Sequence, residues 1–295
     1  MNRKHQHWGW VFVAPYVAGL LIFFLFPVAT SIYYSFTSYD LFNPPQWVGL
    51  QNWASVLRDP VMWKAVRNVL LFTVIFVPSQ TILACIFAVG LNQKLRAMKL
   101  FRVCYFLPVV TPWVGAALVW RWLYNPQFGA LNYLLKLFGL GPFDFTMSTH
   151  WYVVVISIAV VNIWKGVGYV TVILLAGLQN ISNDVLEAAA IDGAGARQKF
   201  TRIILPLLSP TIFLVLILGT MSSFQVFDAF YVMLTTAGTS IVNNDVTVLN
   251  VLIYENAFVY GKLGIAATIA WVSFAFVASI TLFQRKMESR WVHYA

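Results

Sequence analysis

The sequence predicts an all-α polytopic membrane protein. It has six membrane-crossing helices, both termini on the cytoplasmic side and one polar cytoplasmic loop between the fourth and fifth helices. Three observations carry this. The 295 residues are 60% hydrophobic and only 10% charged, where soluble domains carry about 25% charged residues. The apolar residues collect into six long runs nearly free of charge. The connections between those runs alternate between rich and poor in Lys and Arg.

Taken in order, the spans fall at about 10–36, 68–92, 103–123, 151–178, 207–230 and 263–284, with a loop at 181–206. Each is near or beyond the roughly 20 residues that cross a bilayer. The first lies in an uncharged stretch from Trp8 to Tyr39, too long for the apolar core of a signal peptide, so it reads as a retained span. The fourth, starting at Trp151, is interrupted once, by Lys165. Asn43-Pro44-Pro45 and Asn125-Pro126 mark turns. The segment from Val48 to Trp53 opens a short helix, and Leu131 to Phe138 is amphipathic. The longest loops are about thirty residues, too short for a separate soluble domain, so 1–295 reads as one transmembrane domain.

Orientation follows from the basic residues. Twelve lie in the head (Arg3, Lys4), the second connection (Lys94, Arg96, Lys99, Arg102), the fourth (Arg197, Lys199, Arg202) and the tail (Arg285, Lys286, Arg290). Six lie on the other side: Arg58, Lys64, Arg67, Arg121, Lys136 and Lys262. The positive-inside rule puts both termini and the 181–206 loop in the cytoplasm. The net charge of +9 is then mostly topology, which removes the case for nucleic acid binding.

Enzymatic chemistry is missing from the sequence. Gly261-Lys262 lacks the preceding glycine of a phosphate-binding loop. His5, His7, His150 and His293 sit at span ends or termini without metal-type spacing, and Cys85 and Cys104 read as small apolar residues. No nucleophile, base and acid set is visible. The chain is expected to hydrolyse nothing and to hold no metal or cofactor.

Three features carry function. The first is the polar island from Asp184 to Pro210. Glu187-Ala188-Ala189-Ala190 favours a helix, and Asp184 suits that helix's N-terminal end. Asp192-Gly193 stops it, and a second short helix runs through Arg197, Lys199 and Arg202. Two short helices around a glycine turn make a docking element. The second is Lys165, about 21 Å into its span at 1.5 Å per residue, close to the bilayer midplane. A charge there is costly and needs a polar cavity, a partner charge or a neighbouring subunit. Asn162, Lys165, Gly166 and Tyr169 share one helical face, suited to a polyhydroxylated ligand, but Lys165 could equally pair across a helix interface. The third is Phe224, Gln225 and Asp228 on one face of the fifth span, near its outer end. Arg121, between Trp120 and Trp122, reads as an interface anchor.

Glu187-Ala188-Ala189, Gly193 and Ile203-x-Leu205-Pro206 resemble, in type and spacing, the EAA loop of permease subunits of ATP-binding-cassette importers. Val13-Ala14-Pro15, Trp47-Val48-Gly49-Leu50-Gln51-Asn52, Phe106-Leu107-Pro108 and Trp120 through Pro126 extend the resemblance over nearly the whole chain. They are similar to the first permease of carbohydrate importers of the maltose and glycerol-phosphate type. The resemblance implies a second permease, a pair of cytoplasmic ATPase subunits that bind ATP and Mg, and an extracytoplasmic solute-binding protein in a bacterial or archaeal cell membrane. It implies that Glu187, Ala188, Ala189, Asp192, Gly193, Leu205 and Pro206 couple to the ATPase. It also implies that Asn162, Lys165, Gly166 and Tyr169, with Phe224, Gln225 and Asp228, line the sugar path. Two departures stand out. The maltose-type relatives have an apolar residue in place of Lys165, which favours an anionic or differently substituted sugar. Thr236-Ala237-Gly238-Thr239 replaces a Gly-Gly-Pro run. The competing readings are the same machine moving a non-sugar solute, or a stand-alone carrier. A carrier has no use for the docking island and typically shows internal repeats, absent here.

Overall fold

Apolar runs become helices because a chain in lipid must satisfy every backbone N–H and C=O internally. The computed structural model describes residues 3–92, 98–235 and 242–292, with side chains described from 12 onward and not for 98–102. Thr236 to Thr239 and the side chains of Arg3, Lys4, His5, His7, Lys94, Arg96, Lys99, Arg102 and His293 lie outside the described residues.

Two compact units organise the chain: residues up to Met62 with Leu252–Val272, and Trp63–Val251 with the residues from Ser273 on. In the first unit, α1 (Arg3–Leu20) passes through a π turn (Leu21–Leu25) into α2 (Phe26–Ser35). A two-residue hairpin, β1 (Thr37–Ser38) with β2 (Gln46–Trp47), leads to α3 (Gln51–Arg58). Asn52 explains this corner: its buried amide donates to the carbonyls of Ser35 (3.0 Å) and Thr37 (2.9 Å). Thr268 donates to the same Ser35 carbonyl at 3.1 Å. In the most apolar window of Phe12–Ser35 no residue is buried within the chain, the mark of a helix left to lipid or a partner.

In the second unit, α4 (Pro60–Leu91) begins eight residues before the expected span. Charge marks where lipid ends, whereas the helix continues past it from Pro60, whose missing N–H costs nothing in a first turn. On this outer end Lys64 pairs with Asp245 (2.6 Å), and the Arg67 guanidinium lies 3.6 Å from the Trp151 ring centre. Asn68 donates to the carbonyls of Asp245 and Thr247, at 2.9 and 2.8 Å.

The expected third span, 103–123, is two helices: α5 (Met98–Val110) and α6 (Trp113–Leu123), bent by 107° at Thr111-Pro112. Pro112 supplies no N–H and disfavours the helical conformation at Thr111, so the ladder breaks there. Among the described residues five helices are long and apolar enough to cross, and the count of six requires this bent pair to act as one.

After α7 (Ala130–Leu137) comes α8 (Trp151–Gln179), the central helix, with 61% of its most apolar window buried. Ala84, Ala88, Val167, Leu174 and Leu208 form the core around it. Gly168 lets α5 approach closely, since a Cβ there would collide with the Tyr105 carbonyl.

The polar loop holds α9 (Asn183–Ile191) and α10 (Ala196–Lys199). The second loop helix is not free-standing. It continues through a π turn (Phe200–Ile204) into α11 (Leu205–Phe224), so the fifth span extends to Ala196. That span then breaks at 225–227 and resumes as α12 (Asp228–Leu234). α13 (Leu249–Tyr254), a third π turn (Glu255–Val259) and α14 (Leu263–Trp291) complete the chain. Inside the second unit, Thr73 and Ser223 hydroxyls lie 2.7 Å apart, and Gln284 donates to Thr220 at 2.8 Å.

Candidate functional site

Both broken helices and the central helix meet around one polar region. A cavity of about 260 Å³ is lined by Phe76, Gln80, Trp113, Asn162, Lys165, Gly166, Tyr169 and Ser222, among others. A second, of about 190 Å³, shares Phe76, Trp113, Asn162 and Ser222 with it and adds Gln225, Phe227 and Asp228. The α8 face expected from periodicity therefore lines one cavity in full. The bare Gly166 backbone leaves room for the end of the Gln80 side chain, which a Cβ there would push aside.

The fifth-span set divides. Gln225 and Asp228 line the second cavity, but Phe224 is 1% exposed and belongs to neither lining. The face of an unbroken helix does not apply, because α11 ends at Phe224 and Asp228 opens a new helix.

Lys165 has a partner that sequence spacing did not suggest. Its ammonium donates to the backbone carbonyls of Thr111 (2.6 Å), Pro108 (3.0 Å) and Val109 (3.3 Å), and lies 5.1 Å from the Trp113 ring centre. These carbonyls lie at and just past the C-terminal end of α5, where the helix ladder runs out and the helix dipole is negative, and that of Pro108 also accepts from the Thr111 N–H. The cation caps the break, and among the described residues it makes no ion pair. Arg121 does the same for the other broken span, donating to the Thr235 carbonyl at the C-terminus of α12 at 2.6 Å. It is a cap, not a free interface anchor. Gln80, Phe76 and Trp113 were missed. Gln80, beside Pro78 in an otherwise apolar run, was the legible signal.

The polar loop is built as its residues suggest. Ser182 caps α9 by accepting from the Asp184 N–H at 3.2 Å. Gly193 takes φ +81° and lets the Ala194 N–H reach the Ala189 carbonyl at 2.9 Å. Glu187 and Ala188 are exposed, Ala189 is half-buried, and Ile191 is 87% exposed, a large apolar side chain left bare at the helix end. Asp192 and Gly193 are exposed and Leu205 is 39% exposed, with Pro206 at the start of α11. Pro206 has no N–H for the preceding turn, and the wide π turn at Phe200–Ile204 takes up that mismatch. These residues group on one polar element, separate in sequence from the cavity residues.

The family described as the binding-protein-dependent transport system inner membrane component matches residues 80–293. The chain belongs to this family. It is 33% identical over 299 residues to the probable ABC transporter permease protein YesP of Bacillus subtilis, covering 99% of this chain and 94% of that one. It is 32% identical over 290 residues to the trehalose/maltose transport system permease protein MalF of Thermococcus litoralis, covering 97% and 95%. The lactose transport system permease protein LacF of Rhizobium radiobacter is 33% identical over 288 residues, covering 96% and 95%. In fold, the permease superposes on a chain of a bacterial alginate ABC transporter solved with its alginate-bound periplasmic protein. The TM-score is 0.83 at 21% identity, covering 97% of this chain and 96% of that one. The permease is thus a membrane component of an importer and not an enzyme. Among the described residues, no group of three or more His, Cys, Asp or Glu side chains is placed to hold a metal ion.

Proposed function

We propose that this permease passes a sugar or sugar derivative across the cell membrane, taking it from an extracytoplasmic binding protein. Movement is driven by ATP and Mg bound on separate ATPase subunits, and a second, similar permease completes the path. Both termini and α9 face the cytoplasm. The observation that carries the reading is the cavity pair: amide, hydroxyl and aromatic groups of Gln80, Asn162, Ser222, Tyr169 and Trp113 converge where two spans break. Such a mixture of polar anchors and flat apolar walls suits the hydroxyls and ring faces of a sugar. The trehalose/maltose and lactose relatives support the same class.

Coupling follows from the loop. α9 presents Glu187, Ala188 and Ile191 to the ATPase, with Ala189 and Gly193 permitting close approach. α10 and the π turn are continuous with α11, which carries Ser222 in the cavity wall. A displacement at the loop is therefore carried along one helix to the cargo site. Glu187→Lys should abolish solute-stimulated ATP hydrolysis in the reconstituted importer while leaving subunit assembly intact. Hydrolysis at the wild-type rate rules out the coupling role. A partner binding protein that takes amino acids and no sugar rules out the cargo class.

A further inference from the structure

The two cavities are lined by one cation and one anion, Lys165 and Asp228, and the structure makes them unequal. An ammonium has three donors. In Lys165 all three are directed at the carbonyls of Pro108, Val109 and Thr111. Its charge sits against the negative end of α5, which carries about half an elementary charge of opposite sign. The side chain is 6% exposed, leaving neither donors nor surface for an anionic ligand. Asp228 is the opposite case. It is exposed, lines the second cavity, and among the described residues makes no ion pair or side-chain hydrogen bond. Asp228 lies in the first turn of the seven-residue α12, whose positive end offsets part of its charge but supplies no side-chain partner, so the charge left more open to the cavities is negative.

We propose that Asp228 is a specificity-determining residue that makes this path accept neutral or amino-bearing sugars and repel acidic ones. Lys165 acts as a helix cap rather than an anion receptor. This reverses the expectation that a lysine at mid-span signals an anionic cargo. It rests on the reading of these cavities as the cargo path. A single carboxylate in a cleft with low-dielectric walls focuses its field into the water there, so it acts on cargo that it does not touch.

The test reads the field directly and needs no knowledge of the cargo. Ser222 lines both cavities, so Ser222→Cys places a thiol between Lys165 and Asp228, with Cys85 and Cys104 replaced by Ser. In the assembled importer, resting and ATP-bound, the thiol is modified with a cationic and an anionic alkyl methanethiosulfonate. Each rate is divided by that for a free thiol in solution. The cation-to-anion ratio should exceed about tenfold, the size expected for one charge within roughly 10 Å at intermediate dielectric. Asp228→Asn should bring it down at least fivefold, and Asp228→Glu should keep it. A ratio that Asp228→Asn leaves unchanged, or one that favours the anion, overturns the charge assignment while the path stands. A thiol that reacts with neither reagent in either state overturns the path and the inference together.

Discussion

Lys165→Met is the most discriminating substitution. The methionine fills similar volume but removes the three donors that cap α5. The Pro108 carbonyl keeps the Thr111 N–H at 3.3 Å, so two carbonyls, those of Val109 and Thr111, lose the Lys165 partner. At about 1–3 kcal/mol for each orphaned buried group the cost spans roughly 2–6 kcal/mol. Because Lys165 and Val109 line the cavity, solvation there should hold the loss to the lower part of that range, about 2–4 kcal/mol. For a chain of this size that is a fall in Tm of about 3–6 °C. Thermal unfolding of the purified importer in detergent, followed by tryptophan fluorescence, measures it. Lys165→Arg retains donors and charge and should recover at least half of the loss. Transport of whatever sugar is carried should slow without a change in preference between neutral and acidic competitors. A Tm within 1 °C of wild type would refute the capping argument, and a switch in cargo preference at unchanged Tm would identify Lys165 as a cargo contact.

Gly193→Ala should cost about 1 kcal/mol at the loop, since φ +81° penalises any Cβ although nothing lies within 4 Å of one. Gly193→Asn should cost less, and solute-stimulated ATP hydrolysis by the two variants should rank in that order. Asn132→Ala removes donors to the Tyr124, Asn125 and Phe143 carbonyls and the acceptor for the Phe143 N–H. Hydrogen exchange at Phe143 should then rise by at least tenfold, equivalent to about 1.4 kcal/mol, while α8 stays protected. The Asp245 carboxyl is held below its ordinary value of 3.8 by the hydrogen bond and charge of Lys64. A depressed folded value means that the bridge contributes at neutral pH and is lost as pH falls through that lower value. Protection factors in the 242–248 segment, corrected for the intrinsic pH dependence of exchange, should be flat from pH 7 to about 5 and fall only near or below pH 3.8, and Asp245→Asn should remove that fall.

Much of the molecule could be read from residue order because lipid imposes simple demands. Apolar runs located five continuous crossings, and Asp184 and Asp192-Gly193 marked the two ends of α9, whose Ser182 cap only the structure showed. The α8 cavity face followed from 3.6-residue periodicity in a helix that stays regular from Trp151 to Gln179. The failures cluster where regularity ends. Phe224 was placed on a face that the break at 225–227 abolishes, and the 103–123 span proved to be two helices. The asparagines at 52, 68 and 132 had roles that were not legible in the sequence. Each is buried and donates to at least two backbone carbonyls.

By itself the sequence determined that this chain lives in a membrane, where its continuous apolar crossings lie, and where a polar helical loop interrupts them. Those properties depend on composition and on neighbours three or four residues apart. Tertiary structure alone decided what the mid-membrane charges do. Lys165 meets carbonyls more than fifty residues away, and Arg121 meets one more than a hundred away, because prolines and a broken ladder exposed helix ends there. A charge's meaning in a membrane is set by which partner reaches it first, and spacing along one helix cannot supply that partner.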